Sequence, residues 1–162
     1  MIKMRHTLLA AALALAGLNA QAAAYSFSGQ LDDGPLAGLG FGGQFSYDEL
    51  ALSGSGYEFL DLSAWTLNVL GQNFSSATTP ASPQAAFWDG QFVGLNGTFA
   101  SGAYEVTLAD GVVDFSGAYL GYRTPAGEGF GSYSVTAVPE PSSWLMSLAG
   151  LAAIGAVARR RK

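Results

Sequence analysis

The chain has 162 residues, a formal net charge of −5 and no cysteine, so it has room for one domain plus targeting segments. Residues 25–138 carry eleven carboxylates and a single cation, Arg123, which gives a formal charge of −10 that repels phosphate backbones and argues against nucleic-acid binding. The lack of cysteine excludes disulfides, thiolate nucleophiles and cysteine-ligated zinc, so a folded domain here must rely on its apolar core.

The first 24 residues have the organisation of a secretory signal peptide. A cationic start precedes an apolar run of 12 residues, 7–18, and small residues follow it. Cleavage after Ala22 or after Ala24 satisfies the need for small residues before the cut. We prefer the cut after Ala24, because a strand-like alternation starts at Tyr25.

Residues 25–137 predict an acidic, glycine-rich, all-β domain. Tyr104, Val106 and Leu108 alternate with polar neighbours, as expected for a half-buried strand. Four dipeptides are typical of hairpin turns: Asp33-Gly34, Asp89-Gly90, Asn96-Gly97 and Asp110-Gly111. About seven short strands with this spacing favour an antiparallel β-sandwich or a barrel-like domain. The alternating runs are 25–31, 43–50, 65–70, 87–95, 98–108, 112–122 and 131–138.

Little catalytic chemistry is available to this domain. Residues 25–138 contain no histidine, cysteine, lysine or methionine, which excludes Ser-His-Asp catalysis, thiol nucleophiles, histidine-bound metals and Schiff-base lysines. A pair of carboxyl groups could still act as in a glycosidase, but the domain is small for a substrate cleft. We therefore expect no enzymatic activity and no cofactor. The glutamates available to that alternative are Glu49, Glu58, Glu105 and Glu128.

Aspartates raise the question of calcium. Asp32-Asp33-Gly34 and the pair Asp110 and Asp114 offer oxygen ligands, but neither stretch matches an EF-hand loop or a calcium-binding repeat. Aspartate is also a frequent turn former, because its side chain accepts hydrogen bonds from nearby backbone. We interpret these residues as turn formers and expect no metal.

Aromatic side chains have two alternative uses here. Exposed rings with polar tips could stack on sugars, or the same rings could fill the core of a glycine-rich sheet. Trp65 and Trp88 are the candidate carbohydrate contacts. Phe87 and Trp88 are adjacent, so in a strand they point to opposite faces and one of them is expected to be exposed. The full set is Trp65, Phe87, Trp88, Tyr104, Tyr119, Tyr122 and Tyr133.

The last 25 residues, 138–162, have three parts. Prolines 139 and 141 deny helix to the residues before them, so Val138-Pro139-Glu140-Pro141 predicts an extended spacer. Residues 142–158 form an uncharged run of 17, about 25 Å long as a helix and near the lower limit for crossing a bilayer. The basic end should stay in the cytoplasm by the positive-inside rule, and it consists of Arg159, Arg160, Arg161 and Lys162.

This order of parts resembles the PEP-CTERM sorting signal of Gram-negative bacteria. The resemblance implies a partner, an exosortase-type processing enzyme, which would recognise Pro139, Glu140 and Pro141. It also implies that the helix 142–158 holds the chain in the inner membrane before processing, that residues 159–162 stop transfer, and that the product reaches the cell surface or the medium. The alternative is a plain single-pass anchor with a proline-containing hinge.

Two functional interpretations follow. The first is a non-enzymatic protein of the cell envelope or extracellular matrix, which the resemblance associates with exopolysaccharide and biofilm. The second is a polysaccharide-binding module that uses exposed aromatic rings.

Overall fold

A computed structural model describes residues 23–138, and these residues form ten strands and two short 3-10 helices. The all-β prediction is confirmed, with ten strands in place of the seven alternating runs. The strands are β1 (Ala23–Leu31), β2 (Gly40–Tyr47), β3 (Tyr57–Asp61), β4 (Ala64–Val69), β5 (Gln72–Ser75), β6 (Gln84–Trp88), β7 (Gln91–Ser101), β8 (Tyr104–Ala109), β9 (Tyr119–Thr124) and β10 (Gly127–Ala137). The 3-10 helices are Glu49–Ala51 and Phe115–Gly117.

The ten strands make one antiparallel sheet in the order β3-β6-β7-β8-β9-β10-β1-β2-β4-β5. This sheet curls on itself like a half-barrel, because strands far apart in that order touch through their inner side chains. The ring centroids of Trp65 on β4 and Phe99 on β7 are 4.9 Å apart, and those of Phe45 on β2 and Phe92 on β7 are 5.7 Å apart. The predicted barrel-like architecture is therefore confirmed.

Strand β7 joins two sections of the sheet. Its first half, as far as Asn96, pairs with β6, and its second half, from Gly97, pairs with β8. The pairing of β6 with β7 also shifts register between Ala86 and Phe87. Such irregularities bend a strand and strengthen its twist, which lets the β3–β6 section fold over the rest.

The concave side of the sheet holds a single apolar core. Phe87 and Phe99 are among its largest fully buried side chains, and in residues 23–138 no buried side-chain polar atom lacks a hydrogen-bond partner. Because there is no disulfide, this core must supply the stability of the domain. Its larger members are Phe27, Leu31, Phe41, Phe45, Tyr47, Trp65, Leu67, Phe74, Phe87, Leu95, Phe99, Leu108, Leu120, Tyr122 and Tyr133.

Two of the predicted hairpin turns have different outcomes. Asp89-Gly90 joins β6 to β7 with φ of 47° and 79°, as expected for a tight hairpin. The prediction for Asn96-Gly97 was wrong: both residues lie inside β7, where a Cβ on Gly97 would come within 3.0 Å of Pro83 Cα. The glycine there allows close packing and does not make a turn.

Two predicted strands are also shorter than expected. The run 98–108 is a hairpin, because β7 ends at Ser101 and β8 begins at Tyr104. In the run 112–122, only residues from Tyr119 onward are strand, since Asp114 caps the 3-10 helix Phe115–Gly117 through its side chain. Local side-chain hydrogen bonds of this kind compete with the sheet ladder.

The targeting segments fall largely outside the described residues. The membrane helix predicted over 142–158 and most of the signal peptide belong to this part of the chain. Within residues 23–138, no helix has the length and hydropathy needed to cross a bilayer. The predicted site residues that lie outside the described part are Ala22, Pro139, Glu140, Pro141, Arg159, Arg160, Arg161 and Lys162.

Candidate functional site

The two ends of the described domain lie side by side. Strands β1 and β10 are antiparallel neighbours, with Tyr25 opposite Ala137. One residue further along, the backbone N–H of Val138 donates to the carbonyl oxygen of Ala24 at 2.8 Å. The segment before Ala23 and the segment after Val138 therefore join the domain at the same place.

Strand β1 begins two residues before the alternation predicts. Ala23 pairs with Tyr47 and Ala24 with Ser46, so both alanines belong to the sheet. An alternating pattern of apolar and polar residues cannot show this, because two adjacent alanines carry no such contrast. A cut after Ala24 would remove residues that pair with β2 and hold Val138, whereas a cut after Ala22 leaves the whole strand in place.

We expect the mature protein to begin at Ala23. Intact-mass analysis of protein from the native host distinguishes this start from the start at Tyr25, because the two products differ by two alanine residues. The product that begins at Ala23 keeps β1 complete, because Ala23 and Ala24 pair with β2 and Ala24 accepts a hydrogen bond from Val138. A product beginning at Tyr25 would contradict this expectation and support the cut after Ala24.

An exposed aromatic cluster lies on the outer face of the β3–β6 section. Tyr57 and Phe59 are on β3 and Trp88 is on β6, and each exposes about two-fifths of its surface: 40%, 41% and 39%. The ring centroids of Tyr57 and Phe59 are 4.9 Å apart, and those of Tyr57 and Trp88 are 6.1 Å apart. We call these three residues the aromatic patch. Exposed apolar groups in contact with one another often mark binding surfaces.

The two candidate tryptophans therefore have different environments. Trp88 is exposed while its neighbour Phe87 is buried, which confirms that this pair points to opposite faces. Trp65 is only 4% exposed and packs against Phe99, so it belongs to the core and its proposed role as a carbohydrate contact needs correcting. A ring covered on both faces by protein presents no surface for stacking on a ligand.

Polar groups fix one side of the aromatic patch. The carboxylate of Asp110 accepts hydrogen bonds from the hydroxyl of Tyr57, from Asn96 Nδ2 at 2.7 Å and from the backbone N–H of Val112 at 3.0 Å. Partial burial disfavours the charged form of Asp110, but these hydrogen bonds outweigh it and lower its pKa. Burial and the Asp110 carboxylate raise the pKa of Tyr57 to about 12. At neutral pH, Tyr57 is therefore a neutral phenol that donates a hydrogen bond to the ionised carboxylate of Asp110.

A groove on the outer face of β8, β9 and β10 is the second candidate site. Tyr119 and Phe130 form one side of it, with ring centroids 6.4 Å apart and planes at 74°. On the other side, Arg123 lies between two carboxylates, 3.7 Å from Glu105 and 3.4 Å from Glu128. The groove has a volume of about 560 Å³. We call it the Arg123 groove.

The remaining carboxylates considered for catalysis have structural partners. Glu58 accepts the backbone N–H groups of Ser53 at 3.0 Å and Gly54 at 2.9 Å, and these bonds lower its pKa. Glu49 accepts the hydroxyl of Tyr25 at 2.8 Å. These hydrogen bonds give both glutamates a role in holding local structure.

The aspartates considered for calcium also hold backbone. Asp32 accepts the N–H of Ser132 at 2.7 Å, and Asp33 accepts that of Phe130 at 2.8 Å. Their carboxylates thus tie the loop after β1 to strand β10. Over residues 23–138, acidic side chains do not gather in threes in a way that could hold a metal ion.

Sequence reasoning missed Tyr57, Phe59 and Phe130. Tyr57 and Phe59 alternate with Glu58 and Leu60, and the usual interpretation of such alternation turns the aromatic side inward. Phe130 stands among glycines, where an apolar side chain is easily assigned to the core. No pattern in the sequence indicates that these three rings face outward.

The described all-β domain is followed directly by the C-terminal segment that carries the candidate sorting signal. Residues 137–162 match the family model described as the PEP-CTERM protein-sorting motif. The chain carries that motif, and the resemblance seen in the sequence is confirmed. The motif implies export, sorting at the membrane and processing by exosortase. No curated protein and no solved structure matches the chain.

Proposed function

We propose that the domain is a non-enzymatic protein of the cell envelope or extracellular matrix and that it associates with exopolysaccharide. The observation that carries this proposal is the sorting motif at 137–162 joined directly to a compact acidic domain. Exosortase processing implies that the domain is the delivered product. Its formal charge of −10 over residues 25–138 favours solubility and disfavours anionic partners.

The carboxylates are occupied by hydrogen bonds or ion pairs, which supports the non-enzymatic part of the proposal. A glycosidase needs two free carboxyl groups facing one another across a cleft, one of them with a raised pKa. Glu58 and Asp110 instead have lowered pKa values because they accept hydrogen bonds. Glu105 and Glu128 share Arg123 on an open surface, where water reaches both.

Separated fractions of the native host test this location. Intact-mass analysis of the inner membrane, outer envelope and medium should find the processed domain in the envelope or medium. Discovery of the processed domain only in the periplasm would contradict a matrix role. Digestion of the matrix polysaccharide should release the domain from the cell surface, if exopolysaccharide retains it there.

The aromatic patch favours a second candidate, a polysaccharide-binding module. Its rings lie in a row across two paired strands, since Tyr57 is directly opposite Trp88 and Phe59 is two residues further along β3. Next to them, Gln84 Nε2 donates to Asp61 Oδ1 at 2.8 Å, which leaves other amide and carboxylate atoms for sugar hydroxyls. Rigid rings beside polar groups are the usual composition of a sugar-binding surface.

Trp88→Ala is expected to weaken retention of the domain in gels that contain a neutral polysaccharide, by about two- to tenfold for the loss of one stacked ring. The measurement is affinity electrophoresis of the mature domain in gels with and without a soluble glucan. Tyr104→Ala is the control. Tyr104 lies on β8, outside the aromatic patch, and its exposed fraction of 36% is close to the 39% of Trp88. Equal retention of wild type and Trp88→Ala would remove the patch as a binding site.

A further inference from the structure

The Arg123 groove has an open floor. Gly121 lines it, and a Cβ on that residue would meet Tyr119 Cε2 at 3.6 Å and the carbonyl oxygens of Thr107 at 3.9 Å and Gly129 at 4.0 Å, all ordinary contact distances. Across the sheet, Gly121 is opposite Thr107 on β8 and Phe130 on β10. A glycine beside two outward-facing rings leaves a shallow depression on this face.

The rings beside this floor are available to a ligand. Tyr119 is 43% exposed and Phe130 is 50% exposed, although large apolar side chains are usually covered in a domain with a complete core. Their contact with each other, edge to face, holds both rings in place. A ligand would therefore meet a preformed aromatic corner, with little side-chain ordering to offset binding.

The charge of the groove is negative despite Arg123. Three carboxylates line it, those of Asp33, Glu105 and Glu128, against one guanidinium. Arg123 is also the one cation of residues 25–138, so the surrounding domain adds negative potential. Anionic sugars such as uronates are repelled here, whereas a cation is attracted.

We propose that the Arg123 groove binds amino-sugar polymers with free amines, that is, glucosamine-type polysaccharides. This inference rests on the polysaccharide association proposed above and names its substrate class. One sugar ring stacks in the corner of Tyr119 and Phe130, and the ammonium group pairs with Glu105 or Glu128. Arg123 then donates to ring hydroxyls. Its contacts with the glutamates are long and exposed, so an ammonium group can replace them at little cost.

The groove and the aromatic patch are separate surfaces. The patch lies on β3 and β6, and the groove lies on β8, β9 and β10, with β7 between the two groups of strands. Variants of one should leave binding at the other intact. This separation lets an experiment assign each polysaccharide to its own surface.

Affinity electrophoresis with a soluble β-1,4-linked glucosamine polymer tests the inference. Its fully N-acetylated oligomers and an uncharged glucan serve as comparison probes. Wild type should bind the glucosamine polymer best, and Tyr119→Ala should weaken that binding about two- to tenfold. Trp88→Ala should not change it. Thermal unfolding of each variant checks that the domain is still folded.

Two double variants that remove the same number of charges distinguish a specific binding site from general electrostatic attraction of the polymer to an acidic domain. Glu105→Gln with Glu128→Gln removes two charges inside the groove, and Asp48→Asn with Glu49→Gln removes two exposed charges outside both surfaces. The first pair should abolish the preference for free amines, and the second should keep it. Equal losses from both pairs would overturn the site. Equal binding of wild type to glucan and glucosamine polymer would overturn the amine preference, while a Trp88-dependent glucan interaction would leave the proposed binding function standing.

Discussion

Replacing Pro139, Glu140 and Pro141 together by alanine is expected to leave the protein uncleaved and confined to the membrane fraction. The triple change removes the residues that the resemblance predicts exosortase to recognise, while the apolar run 142–158 and the basic end remain. Intact-mass analysis of membrane and medium fractions measures the result. Wild type should end near 138–141 and appear outside the membrane, and the variant should end at Lys162 and stay within it.

A neighbouring substitution controls for changes to the tail in general. Ser142→Ala with Ser143→Ala alters the residues directly after the motif and should leave processing unchanged. Continued release of the triple variant would show that another feature of the tail directs cleavage. A wild-type chain that keeps Lys162 and occurs only in membranes would favour the plain-anchor alternative.

The sorting motif follows the folded domain with almost no intervening chain. Val138 is hydrogen-bonded to Ala24 in strand β1, and Pro139 is the next residue. Almost no free chain therefore separates the folded domain from the recognition element. Exosortase must act close to the surface of the domain, or the last residues of β10 must detach from β1 first.

Phe99→Ala is expected to lower the free energy of unfolding of the mature domain by about 3–5 kcal/mol. The Phe99 ring is 4.9 Å from that of Trp65 and 5.8 Å from that of Phe74, so it joins β7 to β4 and β5 across the concave side. Domains of this size have a total stability of about 5–15 kcal/mol, and this one has no disulfide to limit the loss. Urea unfolding followed by tryptophan fluorescence measures the change.

Phe130→Ala is the matched control for that loss. It removes the same side chain from β10, where half of the side chain is already exposed, so we expect a loss of only about 1 kcal/mol. The two variants should therefore differ by several kcal/mol in the same experiment. Similar small losses for both would contradict the packing of β4 and β5 against β7, and with it the curl of the sheet.

The sequence predicted the class of fold because period-two alternation depends only on local geometry. Val106 and Leu108 share the buried side of β8, as their spacing indicates, and Glu105 lies on the solvent side. The order of the strands could not be predicted. It depends on pairing between the first and last strands, where Tyr25 meets Ala137, and no short-range pattern specifies that contact.

The outward-facing rings show why the candidate sites were only partly predictable. Alternation identifies which residues share a face, but the side that is buried depends on what covers it. On edge strand β3 the inward positions include Glu58, whose carboxylate is satisfied by two backbone N–H groups. The aromatic side of the strand is then left facing solvent. The adjacency of Phe87 and Trp88 indicates that one of them is exposed but not which one, and no local pattern distinguishes Trp88 from Trp65 as a surface residue.

The neighbouring ends of the chain also determine how the domain responds to mechanical force. β1 and β10 are antiparallel, and both termini leave from the same end of this pair, so a pull on the two ends loads the hydrogen bonds one after another. Sequential loading opens a strand pair like a zipper and needs little tension. If the domain is attached at one terminus and binds a polymer with its outer face, the force passes from that terminus to the outer face and is shared by several strands at once. Once the segment before Ala23 is cleaved, force no longer enters through the N-terminus. A domain that unfolds easily when pulled at both ends would then resist force when it connects one terminus to a polymer.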